Sequence, residues 1–203
     1  ATITGEWLEV NANGSGQQRM IRGQAGSALT VQRTILHGST SAGNNVQCVD
    51  TSDPMNMLDN IMYDVTETGT AALIAQAFLD SSAAGESVKL LNNTVYKITN
   101  DGGTGSATGL NLDDDTGSSM RNNVVCDMLG TSTGVKECYS PSVFSNSVAT
   151  HNLSSDATAL GTGSLINKTS ANQFVSTVAG SEDLHLKSGA DAINAGISLG
   201  ASP

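Results

Sequence analysis

The chain has 203 residues with 9 Lys+Arg against 19 Asp+Glu, a formal net charge of −10 and a sequence pI near 4.4. That balance excludes a basic footprint for a nucleic-acid backbone and argues against docking on anionic lipid. No apolar run is long enough to span a membrane, and the segment ATITGEWLEV has neither the basic nor the apolar region of a signal peptide. Only 14% of residues are charged and 3% aromatic, while Gly, Ser, Thr, Asn, Ala and Val dominate. This composition suits short strands joined by many turns rather than a helical bundle.

Residues 1–28 read as an N-terminal strand, cap or assembly segment. Gly5–Val10 and Arg19–Arg22 are candidate strands of a first coil, with Trp7 placed to shield the end of a core. From residue 29 a repeat emerges. LTVQRTILHG (29–38), MNMLDNIMYDV (55–65), VKLLNNTVYKI (88–98), SSMRNNVVCDM (118–128) and PSVFSNSVATH (141–151) align on Thr34, Asn60, Asn93, Asn123 and Asn146. Two positions after each stands an apolar residue: Leu36, Met62, Val95, Val125 and Val148. Three positions before stands another: Val31, Met57, Leu90, Met120 and Val143. The residue directly before the key position is Arg33, Asp59, Asn92, Asn122 or Ser145, never apolar.

Apolar residues on both sides of a tight bend point into a shared core. The Asn marks the bend, because Asn tolerates left-handed backbone and its amide bonds local backbone. Repeats spaced by 26, 33, 30 and 23 residues cannot bury their own apolar faces, but stacked on one another they can. Further strand candidates lie between the bends: Asn45–Val49, Ala71–Leu79, Ala107–Leu112 and Val135–Tyr139. The Ala and Leu content of Ala71–Leu79 leaves a short helix as its alternative. Asn100–Gly109 reads as a variable loop outside the coil.

The bends Asn92-Asn93-Thr94-Val95 and Asn122-Asn123-Val124-Val125, followed by a Gly-containing strand such as Gly109–Leu112, resemble right-handed parallel β-helix repeats, the pectate-lyase-like solenoids, whose inward Asn residues commonly form a ladder. The stretch Asp183-Leu-His-Leu-Lys-Ser-Gly-Ala-Asp-Ala-Ile-Asn-Ala-Gly196, with Phe174-Val175 upstream, resembles the closing segment of many such proteins. It departs from their pattern at Ala190-Asp191 and Asn194. The resemblance implies an all-β, short right-handed parallel β-helix; five bends plus the terminal segment make about six coils, with coils over 29–153 and a last coil and cap over 154–203. It implies little about function, since this fold hosts lyases, hydrolases, adhesins and viral spikes.

Chemistry-bearing residues are sparse. Asp113-Asp114-Asp115 offers oxygen ligands for Ca²⁺ or a glycosidase acid pair, but reads more simply as a solvated turn. Arg33, Asp59, Tyr63 and Tyr96 form a possible ligand-contact stripe on the exterior. Tyr63 and Tyr96, at equivalent repeat positions, otherwise support the sheet as an aromatic ladder. His37, His151 and His185 lack metal-ligand spacing, so no metal and no cofactor are expected. Cys48, Cys126 and Cys138 are an odd number and give no disulfide framework. The expectation is a non-enzymatic structural or attachment module on a virion exterior, as capsid decoration or spike of a bacteriophage, or otherwise extracellular. Its partners would be other protein chains at the N-terminal end of the solenoid, and a surface glycan. A bacterial surface adhesin and a polysaccharide lyase or hydrolase are the alternatives, the latter using Asp59 and Asp113 with Arg33 or Arg121.

Overall fold

The structure is a computed structural model that describes residues 1–5, 7–9 (backbone only), 17–23, 28–81, 86–113, 116–140 and 147–200. The chain winds into an all-β parallel solenoid. Each complete coil contributes a strand to each of three sheets. Sheet A stacks β1 (Thr2–Thr4), β4 (Leu29–Gln32), β8 (Met55–Leu58), β11 (Val88–Leu91), β14 (Ser119–Arg121) and β17 (Val148–Thr150). Sheet B stacks β2 (Trp7–Glu9), β5 (Ile35–His37), β9 (Ile61–Glu67), β12 (Thr94–Asn100), β15 (Val124–Leu129) and β18 (Leu153–Ser154), with β6 (Thr40–Ser41) also on β9. Sheet C stacks β3 (Gln18–Gly23), β7 (Val46–Thr51), β10 (Ala75–Asp80), β13 (Ala107–Asn111) and β16 (Lys136–Ser140). The five strands of sheet C give about four full turns. The expected six coils slightly exceed this, because the bend count includes incomplete coils. Ala71–Leu79 resolves into a strand, β10, which begins at Ala75.

Identical registers in successive coils create the core. Sheet A contributes Val31, Met57, Leu90 and Met120, sheet B contributes Leu36, Met62, Val95 and Val125, and sheet C contributes Ile21, Val49, Phe78, Leu110 and Tyr139. All are buried. Burial of so many apolar side chains, each contributing about 1.5–3 kcal/mol, is the main favourable term for such a column.

The turn from sheet A to sheet B explains the repeat. The left-handed residue is not the key Asn but the one before it: φ is +53° at Arg33, +56° at Asp59 and Asn92, +58° at Asn122 and +54° at His151. This corrects the expected division of labour and accounts for the polar residue always found there, since an apolar side chain would be both strained and solvated. A second left-handed column runs through Gly38, Asp64, Lys97 and Asp127.

The last repeat is also displaced. Asn123 is followed on the next coil by Asn152, whose Oδ1 accepts from Asn123 N and Nδ2 at 3.0 Å each. Asn146 lies outside the described residues, as does Val143. Val148 is 42% exposed, on the outer face of sheet A, and the partner of Val125 on the core column is Ser154. An Asn followed two residues later by Val fits the sequence pattern equally well at 146, whereas hydrogen bonding selects the site six residues on.

Candidate functional site

The inner corner of the column is an amide ladder. Asn60, Asn93 and Asn123 each donate from Nδ2 to a carbonyl of the preceding coil, that of Val31, Met57 and Leu90 respectively, at 2.9, 2.9 and 2.8 Å. Each also donates to the side-chain oxygen of the next Asn. Thr34 N begins the ladder on Asn60 Oδ1, and Ser164 Oγ ends it by accepting from Asn152 N. The four asparagines are at most 1% exposed. This corner satisfies buried backbone and leaves no group over for chemistry.

The outer corner is different. Arg33, Asp59, Asn92 and Asn122 stack above one another on the exterior. Asn92 Nδ2 donates to Asp59 Oδ1 at 2.9 Å and Asn122 Nδ2 to Asn92 Oδ1 at 3.1 Å. Asn122 then holds the backbone of Ile197 from both sides: its Nδ2 donates to Ile197 O at 2.8 Å and its Oδ1 accepts from Ile197 N at 2.9 Å. Beside this corner, a groove of about 1070 Å³ runs over the outer face of sheet A, with Ile197, Leu199 and Gly200 as a wall. Thr30, Asn56, Lys89, Ser119 and Arg121 are on its floor.

The possible contact stripe therefore divides. Asp59 lines the groove, and Arg33 is exposed on the coil before it, with no ion pair between them. Tyr63 and Tyr96 are on sheet B in register with one another. Tyr96 is 6% exposed and its hydroxyl donates to Thr177 O at 3.2 Å, while Phe174 meets its ring edge-on at 5.8 Å. Burial under this cover raises the pKa of the Tyr96 phenol. A ligand cannot reach its face, so Tyr96 is removed from the stripe. Tyr63 stacks on His37 with ring centres 4.9 Å apart.

What covers Tyr96 is the stretch that resembles a closing segment. The end of the column is capped by the preceding residues: Asp156 Oδ2 accepts from Cys138 N at 2.7 Å and Thr158 Oγ1 from Tyr139 N at 3.0 Å. These side chains occupy hydrogen-bonding positions that a further strand of sheet C would take. The four-residue helix α1 (Ser170–Gln173) and the antiparallel pair β19 (Phe174–Ser176) and β20 (Asp183–Leu186) then turn back along the outer face of sheet B. Phe174, Leu184 and Ala192 pack there on Tyr96, Cys126 and Leu153. Gln173, fully buried, pins the strap through Asp191 and the amide of Ala192.

The proposed acid pair does not assemble. Asp59 lies in the turn leaving sheet A, whereas Asp113 follows β13 at the turn that leads into sheet A, its amide on Asp80 Oδ2 at 3.3 Å. Asp114 and Asp115 lie outside the described residues. Among the described residues no three His, Cys, Asp or Glu side chains gather in a metal-binding cluster. Cys48, Cys126 and Cys138 are buried free thiols. Burial pushes all three pKa values up, that of Cys138 to about 12. Thiolate chemistry is thereby suppressed. No helix among the described residues is long and apolar enough to cross a membrane. No protein-family model, curated protein or solved structure matches the chain.

Proposed function

We propose that this chain is a non-enzymatic structural or attachment module that works within an assembly of protein chains, on the exterior of a bacteriophage virion. The observation that carries this reading is the inequality of the two ends. The C-terminal end of sheet C is closed by Asp156 and Thr158 on the backbone of β16. At the other end, β1, β2 and β3 are the outermost strands of their sheets, and among the described residues no strand pairs with their free edges. Unpaired strand edges invite pairing with further polypeptide. The acidic, charge-poor composition suits an exterior surface.

Light scattering across a concentration series, with hydrogen exchange of the β1 and β3 amides, tests this. Association accompanied by slowed exchange in β1 and β3 supports the reading. A monomer at every concentration that also depolymerises an acidic polysaccharide overturns it in favour of the lyase or hydrolase.

A further inference from the structure

We propose that the groove on sheet A docks an acidic, extended peptide segment of a partner protein, through Lys89 and Arg121. Leu90 and Met120 point inward and are buried, so Lys89, Leu91, Ser119 and Arg121 share the outer face. The register sets Lys89 opposite Ser119 and Leu91 opposite Arg121. The two cations are therefore diagonal neighbours on adjacent coils, with backbones about 7–8 Å apart. Neither makes an ion pair among the described residues. Arg121 Nε is shut off from solvent with no hydrogen-bond partner among the described residues. Arg121 as a whole is half-buried and lines the groove, so a carboxylate seated there pairs with a partly desolvated guanidinium.

Charge and shape narrow the occupant. In a chain of net charge −10, this floor is a local reversal of sign. Among the described residues Asp59 is the one acid lining the groove, and its Oδ1 already accepts from Asn92. Leu58 and Leu91, in register on neighbouring coils, form an apolar step beside the cations. Among the described residues no aromatic side chain lines the groove, so a sugar ring finds no face to stack on there. A polypeptide backbone is already held at this corner: Asn122 grips Ile197 through both its N–H and its C=O. Six strands at about 4.8 Å give a run of roughly 24 Å, which accommodates about seven residues of extended peptide. The fitting ligand alternates carboxylates with an aliphatic residue. This site is the outer face of sheet A, reaching Thr2 of β1, rather than the strand edges of β1–β3.

Fluorescence polarisation with a labelled Ser-Glu-Leu-Glu-Leu-Glu-Ser peptide tests it, on the whole chain and on Lys89→Glu and Arg121→Glu. Both side chains are outside the core, so thermal melts should match the parent. Lys89→Gln and Arg121→Gln serve if either reversal fails to fold. The expected result is saturable binding, weakened more than about tenfold by either charge reversal and by replacing both peptide leucines with serine. No saturable binding overturns the proposal, as does binding unchanged in a folded Arg121 variant. Tighter binding of a labelled galacturonate oligomer at the same groove also overturns it, assigning the groove to an acidic glycan instead.

Discussion

Asn93 Nδ2 lies 3.1 Å from Asn123 Oδ1 and 2.9 Å from Met57 O, so one amide joins three coils. Its own Oδ1 accepts from the backbone and side chain of Asn60 at 3.1 and 3.0 Å. Asn93→Ala leaves buried donors and acceptors on both neighbouring coils without partners. Each such loss costs about 1–3 kcal/mol, and urea unfolding should show a drop of about 2–4 kcal/mol. Asn152→Ala should be milder, because Asn152 is the last asparagine of the ladder.

The core column makes a sharper contrast. Val95 is fully buried, whereas Val148 is 42% exposed. Val95→Asp places an unpaired charge in an apolar interior and should abolish cooperative folding. Val148→Asp should shift stability by no more than about 0.5 kcal/mol. Circular dichroism melts of the two variants check this; equal damage from both would contradict the register of β17.

Glu67 is fully buried with Oε1 accepting from Gly69 N at 2.7 Å, while its Oε2 has no hydrogen-bond partner among the described residues. A Cβ on Gly102 would sit 2.4 Å from that Oε2 and 1.7 Å from Gly69 O, so two acceptors crowd one tight corner. One coil on, Asn100 occupies the same column and donates from Nδ2 to Leu73 O and Ser106 O. Glu67→Gln supplies such a donor. It should stabilise the chain by about 1 kcal/mol, read as a melting temperature about 2–4 °C higher.

The strap on sheet B should loosen in acid. The hydrogen bond from Lys168, followed by that from Gln173, holds the Asp191 carboxyl below its usual pKa. Its folded pKa is depressed, so its contribution is present above the unfolded carboxylate value of about 4. It is lost as pH falls through the lower folded value. Protection of the 170–192 amides relative to their intrinsic exchange rate should fall below about pH 4, and Asp191→Asn should show the lower protection already at pH 7.

Phe174 is 1% exposed and packs with Tyr96 over Cys126. Phe174→Ala should weaken strap docking by about 3–5 kcal/mol. Alkylation at pH 8 should then label Cys126 well before Cys48, which is in the core inside the coils. In the unaltered chain all three thiols should resist labelling until denaturant is added.

The bend pattern was legible because each coil repeats one requirement: an apolar residue on either side of a turn, a polar left-handed residue, then a buried amide. Which residue bore the strain was not legible, since Asn suits both jobs and Asn92-Asn93 and Asn122-Asn123 place it in both. The slip from Asn152 to Asn146 has a similar origin. Beyond Asn152 the column continues with Ser154, a polar residue whose hydroxyl donates to Asp156 O, and the apolar test that identifies earlier coils fails there. Arg121 in the groove and the burial of Tyr96 had no sequence signal, because both depend on which outer face the C-terminal segment covers.

Local sequence, then, determined the unit: strand, left-handed corner, amide, strand, repeated until the apolar faces have neighbours. That information is carried within about ten residues of each bend, where side-chain alternation and backbone sterics act. Stacking decided the rest. Only when coils are superposed do Lys89 and Arg121 meet on one floor, and only the returning strap turns Tyr96 from an exterior tyrosine into a buried one. Such contacts join residues far apart in the chain, and their energies depend on the completed surface rather than on any one segment.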